Sequence, residues 1–258
     1  MKNLFLFLFL LVVFTSKAQD NRVSGLNSRQ FTKYWKVESE SPDYKVTFQG
    51  DTAEIVSPKG LTLWRKEKMS GKVTIEYDAC VVVESDGDRL SDLNCFWMAS
   101  DPQYPDNLWK REKWRSGIFL NCYSLQLYYL GYGGNHNSTT RFRRYDGDES
   151  GITNPKARPA ILKEYTDAGH LLKPNHWYHI KITNENNRVS YYIDGERLVD
   201  FRDAEPLREG WFGFRTTLSR TRITNFSYEC SSQEATAVPL QWIGETPRQD
   251  KAVSFGVP

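Results

Sequence analysis

The chain has 258 residues, of which 39% are hydrophobic and 26% are charged. This balance is typical of one ordinary globular domain and excludes a disordered, collagenous or multi-pass membrane protein. Lys and Arg number 34 against 32 Asp and Glu, so the sequence lacks the concentrated basic excess of a nucleic-acid binder.

The first residues have the pattern of a secretory signal. Lys2 precedes an apolar run, Leu4–Phe14, which is too short to span a bilayer and is followed by small and polar residues. We expect cleavage near Ala18 or Gln19, a mature chain that begins near Asp20, and a secreted or periplasmic protein. No later apolar stretch is long enough to cross a membrane, so no membrane partner is expected.

Short strand patterns then alternate with turn signals. Strands are predicted at Tyr44–Phe48, Thr52–Val56, Leu61–Trp64, Lys72–Glu84, Leu93–Ala99, Gly117–Gly133 and Thr139–Tyr145. Gly50-Asp51 and Pro58-Lys59-Gly60 separate the first three strands. A loop rich in Gly, Pro and charged residues follows from Asp146 to Pro174, and its best helical pattern, Ala160–Tyr165, is short.

Three strands joined by two tight turns are predicted between His176 and Phe201. The turns are Asn184–Asn187 and Asp194-Gly195, and the second dipeptide favours a two-residue hairpin. Trp211–Cys230 predicts two more strands. Because no segment keeps a helical period, the sequence predicts an all-β protein.

This order of strands resembles the concanavalin A-like lectin/glucanase superfamily from about Phe31 to Cys230. The resemblance implies a two-sheet antiparallel jelly-roll sandwich with one concave sheet, across which long carbohydrate chains usually lie. We expect a signal peptide at 1–19, a concanavalin A-like jelly-roll domain at 20–230, and a C-terminal tail or linker at 231–258. The tail either packs along the sandwich through Trp242 or opens a second domain.

Four cysteines occur in this exported chain, and sequence alone allows three pairings. A bridge between Cys80 and Cys230 is the first choice, and buried free thiols are the alternative. Cys95 and Cys122 complete the set, and their spacing is not that of a zinc site.

Glycoside hydrolysis needs two carboxylates close together, because one acts as acid and the other as base or nucleophile. Relatives with this fold carry a Glu-x-Asp-x-x-Glu pattern on one strand. Here Glu76 and Asp78 match its first two positions, but Val81 stands in place of the third acid. Hydrolysis by paired carboxylates is therefore the weakest enzymatic interpretation.

The richest cluster of polar and aromatic residues lies between Tyr132 and Tyr145. On the predicted strand Thr139–Tyr145, side chains alternate between two faces, so Arg141, Arg143 and Tyr145 share one face. Glycines before the turn allow close approach of a ligand to the backbone. We expect Tyr132 to lie near His136, at the turn, and near an arginine. Such a cluster is cationic and hydrogen-bonding, which suits an acidic sugar.

An acidic sugar can be cleaved by β-elimination, which needs a group that neutralises the carboxylate, a base and an acid. Arg141, Arg143 or Asn135 fits the first role, His136 the base and Tyr132 the acid. The simpler interpretation is a plain turn, a solvated arginine face and a core tyrosine. A histidine base suits neutral pH because its ordinary pKa is about 6.5.

A second group of residues supports a sugar cleft. Asp92, Asn94 and Phe96 share one face of the strand that resembles the superfamily's cleft floor, and Trp97 lies on the other face. Asp92 and Asn94 are binding candidates because their side chains hydrogen-bond to hydroxyl groups. Trp109 and Trp114, in a charged segment, are candidates for the rim of the cleft.

No cofactor is expected, although a calcium ion is left open. The acidic turns Glu84–Asp88 and Asp146–Glu149 offer the oxygen ligands that calcium takes, but neither has the spacing of an EF-hand loop. The remaining histidines, His170, His176 and His179, are expected to have structural roles. No Gly-rich phosphate loop joins a strand to a helix.

The signal peptide, the Tyr132–Arg143 string and the Trp177–Gly195 hairpin together resemble secreted jelly-roll proteins of Bacteroidetes polysaccharide-utilisation systems. That resemblance implies a carbon-oxygen lyase, either a polysaccharide lyase or an oligosaccharide dehydratase, that acts on uronate-containing polymers such as ulvan or rhamnogalacturonan. The alternatives are a non-catalytic, lectin-like glycan-binding module and a glycoside hydrolase. The expected partner is an acidic polysaccharide or oligosaccharide, and the expected state is a monomer.

Overall fold

The computed structural model describes residues 22–231. The predicted signal peptide at 1–19 and the tail beyond Ser231, with Trp242, lie outside the described residues. Within 22–231, no helix is long and apolar enough to cross a membrane.

Antiparallel strands make up most of the structure. The strands are β1 (Val23–Ser24), β2 (Trp35–Ser39), β3 (Lys45–Gln49), β4 (Thr52–Arg65), β5 (Met69–Ser70), β6 (Lys72–Val81), β7 (Leu93–Ser100), β8 (Gln126–Gly133), β9 (Thr139–Asp146), β10 (Lys163–Tyr165), β11 (Tyr178–Glu185), β12 (Arg188–Ile193), β13 (Glu196–Arg202) and β14 (Glu209–Ser231). The α-helices are single turns: α1 (Phe31–Tyr34), α2 (Glu112–Arg115), α3 (Gly134–Asn137) and α4 (Ser150–Thr153). Four 3-10 helices lie at Leu108–Arg111, Leu120–Ser124, Pro155–Ala157 and Ala168–His170.

The strands form two sheets that share β4 and β14. The first sheet has the order β10-β9-β8-β7-β14-β4-β2, and the second has the order β13-β12-β11-β6-β14-β4-β3. Hydrogen bonding is continuous from one sheet to the other because both shared strands bend midway. The all-β, two-sheet antiparallel sandwich predicted from the sequence is confirmed.

Alternating side chains fill the space between the sheets. Trp97 of the first sheet lies against Tyr191 of the second, with ring centroids 6.1 Å apart, and Phe214 contacts Tyr77 at 4.8 Å. Each of these aromatic side chains is 5% exposed or less. This interior is the main hydrophobic core, and its burial is the dominant favourable contribution to folding.

The opposite, outer face of the first sheet is partly covered by residues 101–125, named here the covering segment. Beneath it a second apolar cluster forms, in which Phe96 lies near Tyr129 and Tyr145. Phe96 and Trp97 therefore face opposite sides of β7, as the alternation predicts.

A buried ion-pair network holds the covering segment in place. Arg115 is fully buried and donates to the Glu38 carboxylate at 3.0 Å and to the Leu108 carbonyl oxygen at 2.7 Å. Arg111 donates to both carboxylate oxygens of Asp101, at 2.7 and 2.9 Å. Removing one partner from such a network leaves an uncompensated buried charge, which is strongly destabilising.

Some predicted elements differ from the structure. Pro58-Lys59-Gly60 does not end a strand, because it lies inside β4 where that strand changes partners from β3 to β2. Proline is tolerated there because no ladder hydrogen bond is required of it. The two strands predicted in Trp211–Cys230 are one, β14, and only the end of Gly117–Gly133 is a strand. The short helical pattern at Ala160–Tyr165 forms no helix, since its second half is β10, which pairs with β9.

The predicted bridge between Cys80 and Cys230 is wrong, because all four cysteines are free. Cys230 pairs with Val73 and Cys80 pairs with Arg222 on the same two strands. Cys80 lies seven positions after Val73, which places the two thiols roughly 23 Å apart along β6 at about 3.3 Å per residue. No disulfide spans such a distance.

Trp97→Ala tests the core assignment. We expect the free energy of unfolding to fall by about 3–5 kcal/mol, because the change removes a fully packed indole and leaves a cavity. Ile161→Ala, at a side chain that is 43% exposed, is the control and should change the free energy by less than about 0.5 kcal/mol. Urea denaturation measures both. Equal losses in the two variants would contradict the assignment.

Candidate functional site

Strand register places a row of polar positions across the outer face of the first sheet. Arg141 of β9 lies opposite Gly131 of β8, Gly131 opposite Asn94 of β7, and Asn94 opposite Arg215 of β14. Arg215 in turn lies opposite Thr62 of β4. Residues far apart in the sequence thus meet on one surface.

A cavity of about 330 Å³ opens over this row, beside the covering segment. We name it the arginine cavity, because four arginines and two carboxylates line it: Arg89, Arg141, Arg143, Arg215, Glu40 and Asp92. Four guanidinium groups against two carboxylates give the cavity a net positive charge. It therefore favours an anionic ligand.

Five of the sequence-predicted site residues line this cavity. They are Asp92, Asn94, Asn135, Arg141 and Arg143. Alternation along β7 and β9 accounts for Asn94, Arg141 and Arg143, because it directs their side chains to the outer face.

Asp92 organises the floor of the cavity. Its carboxylate accepts hydrogen bonds from Arg89 at 2.7 Å, from the Ser91 hydroxyl at 2.9 Å and from the Asn94 amide at 3.2 Å. Its backbone has a positive φ of 64°, a conformation that costs energy for a residue other than glycine. Asp92 is only 7% exposed, so these contacts fix the orientation of both neighbours.

Two polar atoms at this floor are buried and have no hydrogen-bond partner among residues 22–231: Oδ1 of Asn94 and Nε of Arg89. One is an acceptor and the other a donor. Unpaired buried polar atoms are uncommon because each costs about 1–3 kcal/mol. Both atoms belong to residues that line the arginine cavity, and a hydroxyl group and an anionic oxygen are the ligand groups of matching polarity.

Arg215 forms part of the wall as a buried cation, with 3% of its surface exposed. It donates to the Gly117 carbonyl oxygen, and its guanidinium lies 5.6 Å from the centre of the Phe119 ring. Gly60 leaves the space it needs, because a Cβ there would collide with the guanidinium. The covering segment, which supplies Gly117 and Phe119, therefore positions this arginine.

The other two arginines are also held. Arg141 pairs with Glu164 of β10, and Arg143 donates to the carbonyl oxygen of Pro159. Both side chains remain partly exposed. They are thus oriented by the strand and loop that follow β9, and they retain donors for a ligand.

Tyr123 and Tyr129 both line the cavity, and neither is among the site residues predicted from the sequence. The Tyr129 hydroxyl lies above Gly131, where any Cβ would collide with it. Burial raises the pKa of Tyr129, the Asp92 charge raises it further, and the nearby Arg215 and Arg143 oppose that shift. Its hydroxyl is therefore neutral and acts as a hydrogen-bond donor or acceptor. Residue 129 shares the face of Gly131, but only the register between β8 and β9 shows that this face carries the arginines.

Tyr132 does not lie near the arginines, so its predicted position is wrong. It has the opposite parity on β8, faces the core, and donates to the Leu171 carbonyl oxygen at 3.3 Å. Its ring contacts that of Tyr178 edge-on, with centroids 5.1 Å apart. Burial raises the pKa of Tyr132.

Four further predicted residues, one of them the exposed Trp114, lie outside the lining of the cavity. His136 is exposed at the apex of α3, where three successive residues have positive φ. Tyr145 faces the expected side of β9 but is fully buried beneath the covering segment. Trp109 packs against Trp211, with ring centroids 6.1 Å apart.

Residues 167–173, named here the strap, hold the β8–β9 turn beside the cavity. Asn137 donates to the Leu172 carbonyl oxygen at 2.9 Å and accepts from its amide at 2.8 Å. Thr140 donates to the His170 carbonyl oxygen at 2.6 Å. The His170 ring bonds to Asp167 at 2.8 Å and to Glu196 at 3.2 Å. The strap thus fixes the turn that carries Asn135.

Metal ligation has no built site in residues 22–231, where no group of three or more His, Cys, Asp and Glu side chains is placed to hold an ion. In the turn Glu84–Asp88, the Asp88 carboxylate accepts hydrogen bonds from the backbone amides of Glu84 and Ser85. Those amides therefore occupy an oxygen that a calcium ion would need.

One family model matches more than half of the chain. Residues 55–226 match the family model described as "Domain of unknown function (DUF6250)". No curated protein matches the chain.

Solved structures share the same architecture. A Bacillus subtilis protein of unknown function with a galectin-like fold has a TM-score of 0.64 at 16% identity and covers 82% of this chain and 96% of its own. The carbohydrate binding module CBM66 from Bacillus subtilis gives 0.51 at 16% identity, with 76% and 94% covered. The Emp47p carbohydrate recognition domain gives 0.53 at 14% identity, with 84% and 99% covered. The expected concanavalin A-like, lectin-type fold is confirmed.

His170→Gln tests the strap. Burial lowers the pKa of His170, but its hydrogen bonds to Asp167 and Glu196 outweigh burial and raise it above the ordinary 6.5. The resulting stabilisation is fully present below pH 6.5 and disappears as pH rises through the raised pKa. We expect the Tm difference between wild type and variant to be largest in acid and to shrink above neutrality. Thermal unfolding over a pH series measures it, and a difference that is constant with pH would contradict the assignment.

Proposed function

The chain belongs to the family described as a domain of unknown function (DUF6250), and we propose that its arginine cavity binds an acidic glycan. The observation that carries the proposal is the joint presence, in one cavity, of four arginines and of the unpaired buried atoms on Asn94 and Arg89. A uronate offers what both features require: a carboxylate and adjacent hydroxyl groups.

Each polar group has a definite role in such a complex. A carboxylate is bound well by guanidinium groups, whose paired N–H donors match its two oxygens. A sugar hydroxyl donates to Oδ1 of Asn94, and the Tyr129 hydroxyl bonds to another ring substituent. A cavity of about 330 Å³ is within the range of small-ligand sites.

The fold supports the same proposal by analogy. A carbohydrate binding module and a carbohydrate recognition domain are among the solved structures with this architecture. Fold analogy alone does not assign a ligand, so the residues of the cavity carry the choice of an acidic sugar. The predicted export signal at residues 1–19 would place the site outside the cytoplasm, where polysaccharides are met.

Arg143→Gln tests acidic glycan binding. We expect oligogalacturonate to bind about tenfold or more weakly, because a hydrogen bond to a charged group contributes roughly 1.5–3 kcal/mol. Affinity should also fall with salt in the wild type and less steeply in the variant. Isothermal titration calorimetry measures both.

Arg188→Gln is the matched control, since Arg188 is an exposed arginine that pairs with Asp200 on the second sheet. It should bind oligogalacturonate like the wild type. Unchanged affinity in Arg143→Gln, or an equal loss in the control, would reject the cavity as the site.

A second candidate function, β-elimination by a carbon-oxygen lyase or dehydratase, is favoured by the position of Tyr129. Its neutral hydroxyl lines the same cavity as the arginines that would neutralise a uronate carboxylate. In this scheme a base removes the proton next to the carboxylate, the carbon–oxygen bond at the β position breaks, and Tyr129 protonates the leaving oxygen. Glu40, an exposed carboxylate in the cavity wall, is the proposed base in place of His136.

Tyr129→Phe tests elimination. A conjugated, unsaturated uronate forms in elimination and absorbs ultraviolet light, whereas binding and hydrolysis form none. Incubation with ulvan, rhamnogalacturonan or their oligosaccharides should raise the absorbance for wild type and for His136→Ala, and should fail to do so for Tyr129→Phe. No rise with any substrate, while oligogalacturonate still binds, would reject the enzyme and leave the binding module.

A further inference from the structure

Trp177 is an exposed tryptophan on the face of the sandwich opposite the arginine cavity. It immediately precedes β11, in which Tyr178, Ile180 and Ile182 point into the core. Trp177 has the opposite parity and is 42% exposed. A large part of the indole surface is therefore open to a ligand, at a position where the strand pattern His-Trp-Tyr-His-Ile places a large ring.

The indole lines a surface cleft of about 430 Å³, named here the Trp177 cleft. The other polar side chains of the cleft come from three strands of the second sheet: Thr47, Gln49, Thr52, Glu54 and Arg222. Their neighbours in sequence, Ala53, Ile55 and Ile223, are buried in the core, so the cleft faces outward. An aromatic plate is thus surrounded by hydroxyl, amide and carboxylate groups.

The charges of the cleft are balanced and fixed. Glu54 accepts from Arg220 at 2.9 and 3.0 Å and from Arg222 at 2.7 Å. Glu84 completes the set by accepting from the same two arginines, at 2.7 and 3.3 Å. Two guanidinium groups and two carboxylates leave no net charge, unlike the arginine cavity.

We propose that the Trp177 cleft is a second binding site, which takes the face of an uncharged sugar ring. The C–H face of a pyranose is apolar and packs on an indole, while its hydroxyl groups need donors and acceptors around the rim. Trp177 supplies the apolar plate. Gln49 and Thr47, on the outward side of β3, and the fixed Glu54–Arg222 pair supply the hydrogen bonds.

A protein with both sites would hold a polysaccharide that contains acidic and neutral sugars. The two sites lie on opposite faces, so one short oligosaccharide does not reach both, whereas a long chain or two chains do. Binding of the second segment would then be intramolecular and would strengthen attachment to the polymer without new contacts. The Trp177 cleft does not depend on the arginine cavity, and the two sites can fail separately.

Trp177→Ala in the full mature chain tests the cleft, with neutral xylo-, galacto- and cello-oligosaccharides as probes and oligogalacturonate as the acidic probe. We expect binding of at least one neutral probe to the wild type, with a shift of the Trp177 indole N–H signal in the NMR spectrum. Trp177→Ala should weaken that binding by about tenfold and leave the affinity for oligogalacturonate unchanged, and Trp177→Phe should restore part of the loss. Arg143→Gln should show the reverse pattern.

Trp114→Ala is the matched control, since that tryptophan is 44% exposed and lines neither site. It should bind all probes like the wild type. Failure of every neutral probe to shift the Trp177 signal, or wild-type affinity for them in Trp177→Ala, would overturn the second site. Loss of oligogalacturonate binding in Arg143→Gln would still support the arginine cavity in that case.

Discussion

The structure depends on β14 belonging to both sheets. Its bend lies at Leu218, which has a φ of 50° and marks a register shift between Thr217 and Ser219 opposite β4. A bulge of this kind inserts an unpaired residue and turns the strand. Before the bend β14 directs Arg215 to the outer face of the first sheet, and after it β14 directs Arg222 to the outer face of the second. One strand thereby contributes a cation to each of the two proposed binding surfaces.

The two surfaces differ in how their charges are balanced. In the arginine cavity, Asp92 orients Arg89 and Asn94, but one donor and one acceptor on these two residues stay unpaired. Within the described residues, no hydrogen bond offsets the desolvation of these two atoms. A ligand that hydrogen-bonds to these atoms meets groups that are already positioned, which reduces the entropy lost on binding. In the Trp177 cleft, Glu54 and Arg222 are hydrogen-bonded to each other. The poorly hydrated surface of this cleft is the apolar face of the indole. These arrangements favour the charge recognition proposed for one face and the stacking proposed for the other.

Alternation within strands made much of the fold and half of the site predictable. It directs Asn94, Arg141 and Arg143 to outward faces, and Asp92 lies directly before β7 in the lining of the same cavity. The Asp194-Gly195 hairpin between β12 and β13 follows from turn chemistry alone. Parity within one strand does not fix the register between strands, however. The sequence pattern therefore predicts Tyr132 beside the arginines, whereas the tyrosine of β8 that lies among them is Tyr129. Long-range pairing was also out of reach. It is pairing with β14 that keeps β4 continuous through a Pro-Gly signal, and it is the folding of residues 101–125 over the sheet that buries Tyr145 and Arg215.

Binding of an acidic glycan in the arginine cavity is tested most directly by an NMR titration of the isotope-labelled protein with oligogalacturonate. The titration is observed through backbone amides and arginine Nε–H groups. We expect the shifted signals to belong to the outer face of the first sheet, above all to the Nε–H of Arg89 and Arg215 and to the side-chain amide of Asn94. The Nε–H of Arg222, on the other face, should stay in place. Shifts confined to residues outside the arginine cavity, or no saturable shift, would contradict the claim that this cavity binds an acidic glycan.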